Sequence, residues 1–222
     1  MDESSPNAYN DFQPPAEQEL FMKPNRIVHS LAAVAYLHIA AALAADPPKP
    51  PAPAAAEKAV WDKMTQAGTP GDAHKKLEPL VGKFTVQSKS WMDPAKPPEQ
   101  STGTSERKWI MGGRYIEEHF NGTYGGQPFT GMGLQGYDNV TKKYFGTWMD
   151  SGSTSITMAR GLMNGNTIQY QGLMSDPVSG KEVPYNMTTT IMGKDSHKLE
   201  MWGRGPGGGE MKWMELVYTR AK

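Results

Sequence analysis

From Gly82 to the end, the chain is cut into short segments in which apolar and polar side chains alternate, each closed by a turn signal. That rhythm admits little besides an antiparallel β architecture. The turn signals are Gly112-Gly113, Gly125-Gly126, Asp138-Asn139, Asn164-Gly165, Asp176-Pro177 with Gly180, Gly193-Lys194-Asp195 and Gly205-Pro206-Gly207. Each supplies residues that tolerate positive φ or pre-set a turn. The pattern predicts strands near 83–92, 101–110, 114–123, 127–137, 142–150, 153–161, 166–175, 182–192, 196–203 and 209–219. Connections this short force neighbouring strands to run antiparallel. A meander of about ten strands removes its edges by closing, so the expected fold is mainly β, a single antiparallel meander β-barrel preceded by short helices. A two-sheet sandwich is the second solution.

The alternation also predicts which side chains face inward. In the clearest strand Val183, Tyr185, Met187, Thr189 and Ile191 share one face, against Pro184, Asn186, Thr188 and Thr190 on the other. Ile156 with Met158, Ile168 with Tyr170, Leu199 with Met201, and Met214 and Leu216 with Tyr218 form similar sets.

The first part of the chain has a different organisation. Residues 1–21 are polar and read as an over-extended or unstructured start before Met22. Residues 22–44 have the order of a secretory signal peptide: Lys23 and Arg26, an apolar run from Ile27 to Leu43, then small residues. His29, Tyr36 and His38 make that run a poor membrane anchor, so cleavage without stable membrane insertion is expected, with a periplasmic or secreted destination. Residues 45–56 are a Pro/Ala tether. Residues 57–71 predict a short helix docked on the domain by Trp61, and residues 72–222 the barrel, opened by a helical turn near Asp72.

Charge and composition exclude several classes of function. Lys plus Arg and Asp plus Glu number 23 each, which leaves no basic footprint for nucleic acid. With no cysteine, disulfides, thiol catalysis and thiolate metal sites are ruled out. The glycine-rich stretches lack the Lys-Ser/Thr of a phosphate loop, and no Gly-x-Ser-x-Gly elbow is present.

The segments Gly112-Gly113-Arg114-Tyr115, Gly131-Met132-Gly133, Gly136-Tyr137-Asp138, Lys143-Tyr144 through Trp148-Met149-Asp150-Ser151, Asp176-Pro177 with Ser179-Gly180-Lys181, and Tyr218-Thr219-Arg220 occur together. In this combination the chain resembles the bacterial "domain of unknown function 1579" family over residues 71–222. The resemblance implies a calycin-like barrel, similar to lipocalins and fatty-acid carriers, and implies no particular activity. Calycins carry Gly-x-Trp on the first strand and a late Arg or Lys packed over the Trp. The resemblance puts Gly82-Lys83-Phe84 in the first role and Arg220 in the second, with Phe in place of Trp.

Among polar residues, Glu117, Glu118 and His119 are the densest cluster. Strand neighbours face opposite ways, so the two carboxylates cannot serve one substrate as a pair. Glu118 shares a face with Arg114, Ile116 and Phe120, which leaves two readings open, a buried Arg114–Glu118 pair or solvated rim charges. His74, His119 and His197 include no close ligand pair, and His197 reads as an ordinary strand-end histidine. Methionines suit copper(I), yet Met158, Met187 and Met201 fall on alternating faces where Met fills cores. No metal and no cofactor are expected.

The expected function is a binding or carrier barrel for a small apolar or amphipathic ligand, lined by Arg114, Glu118, Tyr144, Trp148, Met158, Tyr170, Tyr185, Met187 and Met201. Two others stay open: a hydrolase or isomerase using Glu118, His119 or Asp150, and an envelope interaction module without ligand.

Overall fold

The computed structural model describes residues 55–222. The signal-peptide reading and most of the Pro/Ala tether lie outside them. Helix α1 (Ala55–Gly68) comes first, then the one-turn helix α2 (Asp72–Lys75) and a 3-10 turn (Glu78–Leu80). Ten strands follow: β1 (Gly82–Ser90), β2 (Glu99–Ile110), β3 (Tyr115–Tyr124), β4 (Gln127–Asp138), β5 (Lys143–Asp150), β6 (Thr157–Asn164), β7 (Thr167–Asp176), β8 (Lys181–Ile191), β9 (Ser196–Arg204) and β10 (Glu210–Arg220). Every sequence neighbour pairs antiparallel, and β10 pairs back on β1, so the meander closes into a barrel without edges. Among the described residues no helix is long and apolar enough to cross a membrane.

One end of the barrel is plugged. Leu77 and Leu80, from the segment that leads into β1, are fully buried against Ile116, Tyr144 and Ile168. His74 seats the same plug: its Nδ1 accepts from the Gly71 amide at 3.1 Å, and its ring meets Tyr137 edge-on. The Tyr144 hydroxyl donates to the Ala73 carbonyl at 3.2 Å, and Trp109 Nε1 to Glu78 at 2.7 Å.

Arg220 reinforces that end. Its guanidinium carbon lies 4.9 Å from the centre of the Phe84 ring. Nη1 donates to the Val81 carbonyl at 2.8 Å, and Nη2 to those of Pro79 and Lys194 at 3.2 and 2.7 Å. Gly82, at φ +136°, makes room for this approach, because a Cβ there would collide with Nη1 of Arg220. The Gly82-Lys83-Phe84 and Arg220 roles implied by the family resemblance are therefore filled.

Two expectations about the elements need correction. The strand read at 153–161 is β6, starting at Thr157. The preceding polar tract ties itself into a bend, with the Ser155 amide donating to Ser153 Oγ at 2.9 Å and the Gly152 amide to Asp150 at 2.9 Å. Its inward residues are Ala159 and Gly161, whereas Ile156 and Met158 are exposed, the latter by 44%. Across from β6 the inward rings of Tyr144 and Tyr170 both sit opposite Gly161, leaving room only for small side chains. Trp61 does not dock α1. It is 62% exposed, as are its neighbours Val60 and Met64 to a similar degree, and the helix is held instead at its C-terminal end, where the Asn139 amide donates to the carbonyls of Ala67 and Thr69 at 3.0 and 2.8 Å.

Candidate functional site

Just inside the plugged end the barrel interior turns polar. Arg107 on β2 and Glu118 on β3 are direct cross-strand partners, 2% and 4% exposed. Arg107 Nη2 donates to Glu118 Oε2 at 2.7 Å, and Ser105 Oγ donates to Oε1 at 2.8 Å, so both carboxylate oxygens are engaged. The guanidinium carbon of Arg107 stands 4.5 Å from the Tyr218 ring centre. Burial works against the charge on Arg107, but Glu118 beside it outweighs this and holds the group above its ordinary value. Burial first, and then the Glu118 carboxylate, push the Tyr218 phenol well up, so it stays neutral.

His197 on β9 lies fully buried in the same layer. It stacks on Tyr218 with ring centres 4.3 Å apart and planes 14° apart, and meets Phe84 edge-on at 4.8 Å. Burial, followed by the positive charges of Arg107 and Arg220, pushes its pKa down to about 2. The imidazole is therefore neutral throughout the physiological range. It stands at the strand end, as the second residue of β9, but fully buried.

Seven buried side-chain atoms have no hydrogen-bond partner among the described residues: Nε and Nη1 of Arg107, Oε1 of Gln135, the Tyr170 hydroxyl, Oγ1 of Thr189 and both ring nitrogens of His197. Each such atom costs on the order of 1–3 kcal/mol. Buried polar atoms of this kind are met by ordered water or by the polar groups of a bound molecule.

Toward the opposite end the inward side chains are mostly apolar, with the buried Ser88 and Ser90 of β1 among them, and burial is less complete. Met187, Leu199, Met201 and Leu216 point inward yet are only partly buried. Aromatic rings there lie against glycines of the wall, which keeps them out of the middle. The Trp148 indole covers Gly131 and Gly133, Phe120 covers Gly103 and Gly122, and Tyr185 covers Gly172; a Cβ at these glycines would meet the rings. Trp148 Nε1 donates to Asp150 Oδ2 at 2.8 Å.

The nine expected lining residues divide accordingly. Glu118, Tyr170, Tyr185, Met187, Met201 and Trp148 face the interior, and Tyr144 belongs to the plug. Met158 and Arg114 lie outside the barrel, on a groove of about 270 Å³ that also involves Phe145 and Arg160. Arg114 precedes β3 and donates to the Met111 carbonyl at 2.9 Å, so the Arg114–Glu118 pair does not form and Arg107 takes the role. His119 faces outward, 3.4 Å from Glu117. A second groove, of about 410 Å³, is lined by His119, Met132 and Met149 among others and does not include the residues of the polar layer. Among the described residues no group of three or more His, Asp or Glu is placed to hold a metal ion.

Sequence reasoning missed Arg107, Ser105 and Gln135, and placed Thr189 on the inward face without giving it a part in a site. A signal for the first existed: closing β2 and β3 at Gly112-Gly113 sets a register that puts Arg107 opposite Glu118.

A family model described as "Protein of unknown function (DUF1579)" matches residues 69–220. Among solved structures, the crystal structure of Rv2717c from M. tuberculosis is similar at 16% identity and a TM-score of 0.50, covering 69% of this chain and 100% of that one. That likeness carries the calycin-like fold. A redesigned beta barrel is similar at 13% identity and a TM-score of 0.36, over 68% of this chain and 96% of that one. No curated protein matches.

Proposed function

The chain belongs to the DUF1579 family, and we propose that its barrel is a carrier or sensor that binds a small amphipathic molecule without transforming it. The observation that carries this reading is the pairing of seven unpartnered polar atoms with a set of inward apolar side chains that are only partly buried, in one interior. An amphipathic molecule seated there places its tail among Met187, Leu199 and Met201 and its head toward Arg107. Methionine side chains repack at little cost and give such a tail room.

Binding is favoured over catalysis by how the candidate acids and bases are engaged. Both oxygens of Glu118 are taken by Arg107 and Ser105, Asp150 is tied to Trp148 and Gly152, and His119 faces away from the interior. None of the three both faces the interior and lacks a protein partner. Native mass spectrometry of the protein purified from its own host tests the reading. It should carry a bound species that leaves on denaturation, and Met201→Trp, which adds bulk among the inward apolar side chains, should be recovered without it. Repeated recovery of an unloaded wild-type barrel overturns the reading.

We also propose that the barrel acts outside the cytoplasm, from the signal-like order of residues 22–44. Mapping the N-terminus of the native protein tests this: a mature start near Ala45 is expected, and an intact cytoplasmic chain beginning at Met1 overturns it.

A further inference from the structure

The charges of the buried layer specify the head group of the ligand. Arg107 and Glu118 are the charged side chains in it, one of each sign, and they neutralise each other at 2.7 Å. His197, Tyr170, Tyr218, Thr189 and Gln135 add polarity without charge. The unpartnered inventory contains donors and acceptors: three N–H donors on Arg107 (one on Nε, two on Nη1), one ring N–H and one ring nitrogen lone pair on His197, hydroxyls on Tyr170 and Thr189, and a carbonyl oxygen on Gln135.

An ionised head brought into this layer finds no free countercharge. A carboxylate could accept from Nε and Nη1 of Arg107, but it would also face the Glu118 carboxylate that already holds that guanidinium, and one negative charge would remain buried without a partner. An ammonium meets the reverse difficulty: it could reach the remaining lone pairs of Glu118, but it would also face the Arg107 guanidinium already held there, and one positive charge would remain buried without a partner. Burying an uncompensated charge costs several kcal/mol, far more than a neutral hydrogen bond gains. A head that both accepts and donates while staying neutral satisfies Arg107 and its acceptor neighbours together.

Resting on the carrier reading above, we infer that the molecule held in this barrel has an uncharged polar head, of the primary amide or alcohol type, on a short apolar tail.

Three probes of one tail length test the inference: octanamide, octanoate and octylammonium, titrated calorimetrically into the full chain at neutral pH. Octanamide should bind tighter than either ion by about tenfold or more. Glu118→Gln, which keeps the shape and removes the negative charge, should turn the preference toward octanoate by a similar factor. Octanoate binding the wild type as tightly as octanamide, or more tightly, overturns the uncharged-head assignment and leaves the carrier reading standing. Failure of all three to bind overturns both. The wild-type comparison decides the matter by itself if the variant does not fold.

Discussion

Arg220 and Phe84 join the last strand of the barrel to the first, the guanidinium lying over the ring at 4.9 Å while its nitrogens reach three backbone carbonyls of the plugged end. The contact combines a cation over an aromatic face with charge-assisted hydrogen bonds from a planar fork, which a lysine cannot reproduce. Arg220→Ala should lower stability by about 2 kcal/mol or more, and Arg220→Lys should recover less than half of that loss. Urea unfolding of the three proteins measures it; a fully restored midpoint in the lysine variant would show that charge alone matters.

The Arg107–Glu118 pair behaves differently, because both members are buried. Removing one partner leaves the other charged in the interior, so Arg107→Met or Glu118→Leu alone should cost about 3–5 kcal/mol. The double variant replaces the pair by apolar groups and should cost much less than the two losses combined. A double-mutant cycle by chemical denaturation reads this directly, and additive losses would contradict the pairing.

How far the sequence discloses this molecule depends on how each residue announces its environment. The strand Val183–Ile191 alternates without interruption, and its inward set is the one the alternation predicts. Ten strands and closure follow from turn chemistry of the same local kind. β6 misleads, because Met158 and Leu162 look like core residues while the interior beside Tyr144 and Tyr170 accepts only Ala159 and Gly161. That is a property of the neighbouring strands, not of β6. The polar layer was the least legible part. β2 has no apolar residue from Ser101 to Lys108, so its buried face carries no hydrophobic signal, and Arg107 is recognisable only through its partner on β3. Trp61 failed for the opposite reason: its apolar character promised burial, and the surface it would cover is not offered by the barrel.

The glycines of the wall should be intolerant where a ring lies on them and tolerant elsewhere. Gly131→Ala places a methyl inside the Trp148 indole and forces the ring toward the middle of the barrel, at a cost of about 1–3 kcal/mol. Gly146→Ala, one strand away, meets only the Cγ of Gln135 at 3.9 Å and should leave stability unchanged or slightly raised. Thermal denaturation of both variants, with near-ultraviolet circular dichroism reporting Trp148, distinguishes them. Equal effects would mean that the ring does not rest on Gly131.

His197 should make the barrel sensitive to acid before its carboxylates do. Its pKa is pushed down to about 2 by burial and then by Arg107 and Arg220, whereas in the unfolded chain it titrates near the ordinary histidine value of about 6.5. Between those limits the unfolded chain binds a proton that the folded chain does not, so stability falls as pH falls, by up to about 1.4 kcal/mol per pH unit once the pH is well below 6.5. The buried His74 is shifted in the same direction, again chiefly by burial, and adds to the slope in the wild type. The difference between wild type and His197→Phe isolates the contribution of His197, since Phe keeps a ring between Tyr218 and Phe84 and carries no proton. Denaturation midpoints measured from pH 7 to pH 4.5 should drop less steeply in the variant, and parallel slopes would mean that His197 takes up its proton inside the folded barrel.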